Sequence, residues 1–338
     1  MKLKVAFAGL RHAHIFSLYD SITGRNDMEI VAVCEEKPEE SLMYKRPDIT
    51  LTYNRFDEML RNCPCDIIAV GDYYGKRGAV VIKALQAGKH VICDKPLCTS
   101  SDELDEIKRL AVGKRLCIGV MLDLRTSDSF VEAKKIIDSG KLGKITQIQF
   151  NGQHPLNLQT RPSWYFEPGK HGGTLNDIAI HAVDYIRHLT GMDIDRICSA
   201  RTWRAFGSQS ESFYDAAQCM MVLSNGCGVI GDVSYAEPDS FAFNMPQYWR
   251  FTIWGTGGVI EFNAVSPSVN CWFNGEKEVR SITAEKYPGE NYLDYFLRDI
   301  AGKDSDMDTA WVLKCSAVAL ALQKFADEER AGKYLKTM

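Results

Sequence analysis

Three side chains in two short stretches carry groups suited to proton transfer. Lys95 lies in Cys93-Asp94-Lys95-Pro96-Leu97, just past an apolar run, and Asp177 stands four residues before His181 in a stretch with helical character. Oxidising an alcohol needs a hydride acceptor, a base for the hydroxyl proton and a group that stabilises the developing alkoxide. An imidazole, with an ordinary pKa near about 6.5, suits the base at neutral pH. Positions i and i+4 of a helix share a face, so Asp177 can orient His181 and meet substrate hydroxyls. An ammonium at Lys95 can hydrogen-bond the reacting oxygen and keep a relay partner neutral. Pro96 stiffens the turn behind it and permits a cis peptide. Asp177 and His181 could chelate a metal, but no third ligand accompanies them and none is expected.

The elements that must position these groups change character partway along the chain. Strand-like runs at Lys4–Ala8, Glu29–Cys34, Asp66–Val70, His90–Cys93 and Arg115–Val120 alternate with helical stretches, among them Ala13–Ile22, Gly78–Ala87 and the run that Ser101 opens. Alternation of this kind predicts βαβ units with right-handed crossovers, hence a doubly wound parallel sheet. Lys95 then falls at the carboxyl end of a strand, where such sheets bind ligands. After about residue 122 come a helix near Phe130–Ser139, a strand at Ile145–Phe150 and a helix over Thr174–Leu189. Successive strands from Ile197 to Phe273 are split by turns such as Ser224-Asn225-Gly226, and no long helix interrupts them, so this sheet is expected to be largely antiparallel. The reading divides the 338 residues into 1–122 and 123–338.

The first strand ends in Gly9-Leu10-Arg11-His12-Ala13-His14 before a helix, where a dinucleotide fingerprint would read G-x-G-x-x-G. Arg11 and His14 hold the second and third glycine positions. The open N–H groups of a helix N-terminus and a guanidinium at Arg11 both suit a pyrophosphate; a structural turn with a solvated Arg and His is the alternative. At the end of the second strand, Glu35 and Glu36 can accept ribose hydroxyls and repel the extra phosphate of NADP, which favours NAD.

The segments Ala87-Gly88-Lys89-His90-Val91-Ile92-Cys93-Asp94-Lys95-Pro96-Leu97 and Gly172-Gly173-Thr174-Leu175-Asn176-Asp177-Ile178-Ala179-Ile180-His181-Ala182-Val183-Asp184, at this spacing, resemble the glucose-fructose oxidoreductase / inositol dehydrogenase (Gfo/Idh/MocA) family. The resemblance implies an N-terminal Rossmann domain followed by a C-terminal α/β domain built on an open sheet. It implies a hydride transferred between NAD and a carbon-bound oxygen of a sugar, cyclitol or related polyol. The family's Glu-Lys-Pro motif falls on Asp94, Lys95 and Pro96, with Asp for Glu, and its Asp-x-x-x-His pair on Asp177 and His181. Cofactor contacts are expected from Gly9, Arg11, His12, Ala13 and His14 of the first turn, and the resemblance adds Glu35, Asp72, Tyr73, Asp94, Lys95 and Trp164. Substrate contacts are expected from Lys95, Arg125, Arg161, Trp164, Asp177 and His181, with His154, His171 and Tyr235 as further candidates. The sequence departs from the family pattern at Arg11 and His14, at Ala179 for a glycine, at His171 before Gly172-Gly173 and at Tyr165 for a basic residue. A homodimer or homotetramer through the C-terminal sheet is also implied. The family permits redox-neutral epimerisation or glycoside cleavage with recycled NAD, and the broken glycine turn leaves room for a non-enzymatic sensor.

Composition narrows the classes further. A net charge of −4 offers no basic excess for nucleic acid, and no apolar run approaches the roughly 18 residues of a membrane span. The apolar run Val5–Ala8 is too short for a signal-peptide core, so a cytoplasmic location is expected. Eleven scattered cysteines, an odd number with no Cys-x-x-Cys, read as buried free thiols.

Overall fold

The computed structural model describes residues 2–206 and 210–331. The chain divides into two compact units. The first comprises the residues up to Met121 with Pro162–Gly172 and Tyr292–Ala317; the second comprises Leu122–Arg161, Gly173–Asn291 and the residues from Val318 onward.

The first unit is built on β1 (Leu3–Ala8), β2 (Met28–Cys34), β3 (Ile67–Val70), β4 (His90–Cys93) and β5 (Ile118–Val120), all parallel in the order β2-β1-β3-β4-β5. The helices α1 (His14–Thr23), α2 (Phe56–Asn62), α3 (Tyr74–Gln86) and α4 (Ser101–Lys114) alternate with these strands. An isolated parallel bridge, Cys34 to Tyr53, stands outside β2 as the remnant of a further strand. Counting it gives the order of a doubly wound dinucleotide fold, with the reversal between β1 and β3. Buried strands read as continuous apolar runs: Val5, Phe7, Ile67, Ala69 and Ile92 pack with Ile15, Leu18 and Phe296. Phe296 belongs to α7 (Tyr292–Ile300), and Gly119 on β5 admits its ring, since a Cβ there would stand 2.9 Å from it.

The second unit carries an eight-stranded sheet. Its strands are β6 (Ile145–Pro155), β7 (Ile194–Trp203), β8 (Ala216–Leu223), β9 (Gly228–Glu237), β10 (Arg250–Gly255), β11 (Gly258–Asn263), β12 (Ser268–Phe273) and β13 (Arg280–Thr283). They lie in the order β13-β12-β11-β10-β6-β9-β8-β7, antiparallel throughout except for the parallel pair β6–β9. The expected largely antiparallel open sheet is therefore present, and the one parallel pair arises because α6 (Ile180–Thr190), β7 and β8 separate β6 from β9 in the chain. One face is covered by α5 (Asp128–Asp138) and α6, where Phe130, Tyr185, Phe251 and Phe262 pack with ring centroids 4.7 to 6.0 Å apart. Each such buried ring contributes roughly 1.5–3 kcal/mol. Met220, Ile230 and Trp272 are exposed. The last helix, α8 (Thr309–Arg330), begins in the first unit and ends in the second.

All eleven cysteines are free thiols, and only Cys117 and Cys198 are partly exposed. Among the described residues no helix is long and apolar enough to cross a membrane.

Candidate functional site

In the first unit the loops after β1 and β3 press together. Gly9 has φ +81°, and a Cβ on it would stand 2.7 Å from the backbone of Asp72, so both conformation and space demand glycine. Gly71 faces it in the same way, with a Cβ position 2.7 Å from the Gly9 carbonyl oxygen. Beyond Gly9 the chain enters α1 without a capping side chain. Among the described residues, the backbone N–H groups of His12, Ala13 and His14 donate to no other group. That is the open donor set of a helix N-terminus, and it suits an anion.

The Arg11 guanidinium meets Glu35 at 2.9 and 3.2 Å, Glu40 at 2.7 Å and Asp72 at 3.6 Å. Glu35 also accepts the backbone N–H groups of Leu10 at 2.9 Å and Lys37 at 3.0 Å. Arg11 and Glu35 are each 1% exposed. The side chain read as a pyrophosphate partner and the carboxylate read as a ribose partner are thus paired with each other, because a buried guanidinium needs a counter-charge close by. Glu36 lies further out, 2.8 Å from Lys76. Asp72 is buried, accepts the Tyr73 N–H at 2.8 Å and meets Lys76 at 3.0 Å; Tyr73 has Arg11 on its ring at 5.6 Å.

Asp94 organises the end of β4. One carboxylate oxygen meets His12 Nδ1 at 2.6 Å and Arg77 Nη2 at 2.8 Å, and the other lies 3.3 Å from His14 Nδ1. Burial pushes the Asp94 carboxyl up, but Arg77 and His12 more than offset this and hold it well below the usual carboxylate range. Burial lowers the His12 imidazole to about 3, so it is neutral at physiological pH. Arg77, fully buried on α3, donates to the backbone carbonyls of Asp72 at 2.7 Å, Asp94 at 2.9 Å and Lys95, and so fixes the turn that carries Lys95. Lys95 is buried and is followed by a cis peptide to Pro96. Trp164 belongs to the same unit. Its Nε1 donates to the Arg11 carbonyl at 3.2 Å, and its ring packs at 4.8 Å from Tyr74 and 4.2 Å from Tyr165. His171 joins this cluster, 5.1 Å from Tyr165.

In the second unit the expected helix over residues 174–189 begins with a π turn, Leu175–Ala179, before α6. Such turns are rare and recur at functional sites. Asp177, 2% exposed, accepts the hydroxyl of Tyr235 on β9, whereas His181, 5% exposed, lies with Nδ1 3.8 Å from Asp123 and its ring 5.5 Å from Trp249. Trp249 has φ +52°, an unusual conformation for a bulky buried residue. His154 stands 5.5 Å from Trp249 and 6.5 Å from Tyr235. Arg161 stacks on Tyr235 at 5.6 Å and donates to the carbonyls of Pro155 and Leu156 at 3.0 and 2.7 Å. Arg125, read as a substrate contact, is buried and pairs with Asp184; its Nη1 lies 3.4 Å from His188 Nδ1. Burial first, and Arg125 next, lower His188 to about 3. Arg77 and Trp249 escaped the sequence reading: an Arg inside a helix and a Trp in a loop carry no spacing signal.

A five-stranded parallel sheet whose first turn presents open N–H groups at its switch point has the architecture of a dinucleotide-binding domain. The chain belongs to the GFO/IDH/MocA family: residues 3–122 match its oxidoreductase NAD-binding Rossmann fold, and residues 130–261 match its C-terminal domain. A scyllo-inositol 2-dehydrogenase (NADP(+)) from Bacillus subtilis is 30% identical over 148 residues, 43% of this chain and 40% of that one. A levoglucosan dehydrogenase from Pseudarthrobacter phenanthrenivorans is 28% identical over 206 residues, 54% of this chain and 52% of that one. These alignments span about half or less of the relatives' length. A solved oxidoreductase-fold structure from Thermotoga maritima superposes with a TM-score of 0.83 at 24% identity, covering 97% of this chain and 98% of that one.

Proposed function

We propose that this protein transfers a hydride between NAD(H) and a carbon-bound oxygen of a sugar, cyclitol or related polyol. The observation that carries the reading is the proton-handling set retained within the family framework: Lys95 fixed by the Arg77 network, and buried Asp177 and His181 at the start of α6. The open N–H groups of residues 12–14 and the compact Gly9 turn fit a dinucleotide diphosphate, and NAD⁺ when bound supplies the hydride acceptor. His181 accepts the hydroxyl proton, Lys95 hydrogen-bonds the reacting oxygen, and Asp177, oriented by Tyr235, binds a substrate hydroxyl. Trp164 is assigned to the cofactor, and Arg161, His154, His171 and Tyr235 are further candidates for substrate contact. Arg125 is held by Asp184, and Arg11 braces the first turn instead of gripping phosphate. NAD is favoured over NADP because Glu35, Glu36, Glu40 and Asp72 outnumber the cations Arg11, Lys37 and Lys76 that pair with them. The exposed Met220, Ile230 and Trp272 support a dimer or tetramer formed through the open sheet.

Thermal-shift titration with NAD and NADP, followed by a panel of cyclic sugars, cyclitols and linear polyols monitored at the NADH absorbance, tests the proposal. The expected result is stabilisation by NAD at lower concentration than NADP, and NADH formation with at least one cyclic polyol. Binding of NAD with turnover of substrate but no NADH accumulation would replace net oxidation by redox-neutral chemistry. Absence of dinucleotide binding would overturn the reading.

A further inference from the structure

We infer that His12, His14 and Asp94 form a binding site for a borderline divalent cation of the Zn²⁺ type. The inference rests on the first unit alone; because it shares residues 12–14 and Asp94 with the turn read as the dinucleotide site, the test is made without dinucleotide. One ligand atom from each residue lies within 4.8 Å of the other two. Two imidazole nitrogens and one carboxylate oxygen suit Zn²⁺, Co²⁺ or Ni²⁺; Mg²⁺ and Ca²⁺ prefer oxygen alone. The second observation is Asp94 Oδ1. It is fully buried and accepts no hydrogen bond, although it lies 3.3 Å from His14 Nδ1. A buried carboxylate oxygen without a donor is costly, and a cation seated between it and the two imidazoles removes that cost.

The surroundings are those of an open site. Three protein ligands leave a coordination position for water, and the His14 side chain, 46% exposed, provides an entry path. Arg77 holds Asp94 through its other oxygen, as an outer-shell group does. The same guanidinium, with Lys95 next in sequence, lowers the attraction for a cation, so binding is expected to be weaker than at a closed structural zinc site.

The test is titration of the chelator-treated full-length protein with Zn²⁺ by calorimetry and with Co²⁺ by visible absorption. The expected result is saturable binding of one ion, with cobalt ligand-field bands and no intense sulfur charge transfer. His14→Ala should weaken binding by about tenfold or more. His14 is half-exposed at the first position of α1, so this variant should fold, as circular dichroism can verify. His12→Asn should weaken binding likewise, and Cys63→Ser/Cys65→Ser, which removes the two cysteines nearest each other in sequence (Cys63-Pro64-Cys65), should leave it unchanged. Absence of saturable binding, affinity unchanged in His14→Ala, or a thiolate charge-transfer band lost in the cysteine variant would each overturn the assignment.

Discussion

Replacing Arg11 by alanine separates a brace from a ligand. In the structure its guanidinium meets Glu35 at 2.9 and 3.2 Å, with both residues 1% exposed. Removing it leaves Glu35 buried with two backbone N–H donors, from Leu10 and Lys37. Breaking a buried ion pair from one side typically costs about 3–5 kcal/mol. Glu40 is 34% exposed and can turn to water, so its share is at most about 1 kcal/mol. Arg11→Ala should therefore destabilise the dinucleotide-free protein by about 3–5 kcal/mol. Arg11→Met/Glu35→Gln removes both charges while keeping most of the volume, and should recover at least half of the loss, since the two positions are coupled. Urea unfolding of the three proteins, with a probe in the first unit, measures this. If Arg11→Ala unfolds within about 1 kcal/mol of the parent while NAD affinity falls about tenfold, Arg11 is a phosphate ligand and the brace is refuted.

Gly9→Ala places a methyl group 2.7 Å from the Asp72 backbone at φ +81°, so it should lower both stability and NAD affinity; unchanged affinity by fluorescence titration would remove the turn from the cofactor site. Tyr235→Phe deprives the buried Asp177 carboxylate of a donor worth about 1.5–3 kcal/mol, and steady-state kinetics should show kcat/KM reduced by roughly 10-fold or more. A stability loss with intact kinetics would confine Tyr235 to packing. His188 is held at about 3, below the ordinary value near about 6.5. Between those limits the unfolded chain binds a proton that the folded chain does not, so His188 subtracts stability as pH falls through this window, by up to about 1.4 kcal/mol per unit, and its contribution is complete above it. His188→Asn should flatten the acid limb of the stability curve; an unaltered slope would contradict the assignment.

Much of the framework was legible because periodicity records burial. The runs Lys4–Ala8, Glu29–Cys34 and His90–Cys93 became β1, β2 and β4 within a residue or so at each end, and the turn at Ser224-Asn225-Gly226 joins β8 to β9. Boundaries failed where local pattern and packing disagree. α3 begins at Tyr74, one turn before the expected Gly78, because Tyr74 and Arg77 are buried against the first turn's network and carry no apolar period. The π turn ahead of α6 has no sequence signature, so periodicity predicts one continuous α-helix over residues 174–189 where the structure has a π turn followed by α6. Residue identity located Arg11 and Glu35 but not their partners: pairing across 24 residues of chain depends on tertiary approach, which neither spacing nor charge type encodes.

The central claim is that Lys95 and His181 handle the proton in a hydride transfer, and single-turnover NADH formation tests it most directly. With NAD and a substrate from the panel, Lys95→Met and His181→Asn should each slow the step by about 10²-fold or more, and the double variant should be little slower than either, as for groups acting as a unit. The NAD affinity of His181→Asn should stay near that of the parent. Rates in either single variant close to the parent's, with substrate saturating, would contradict the account.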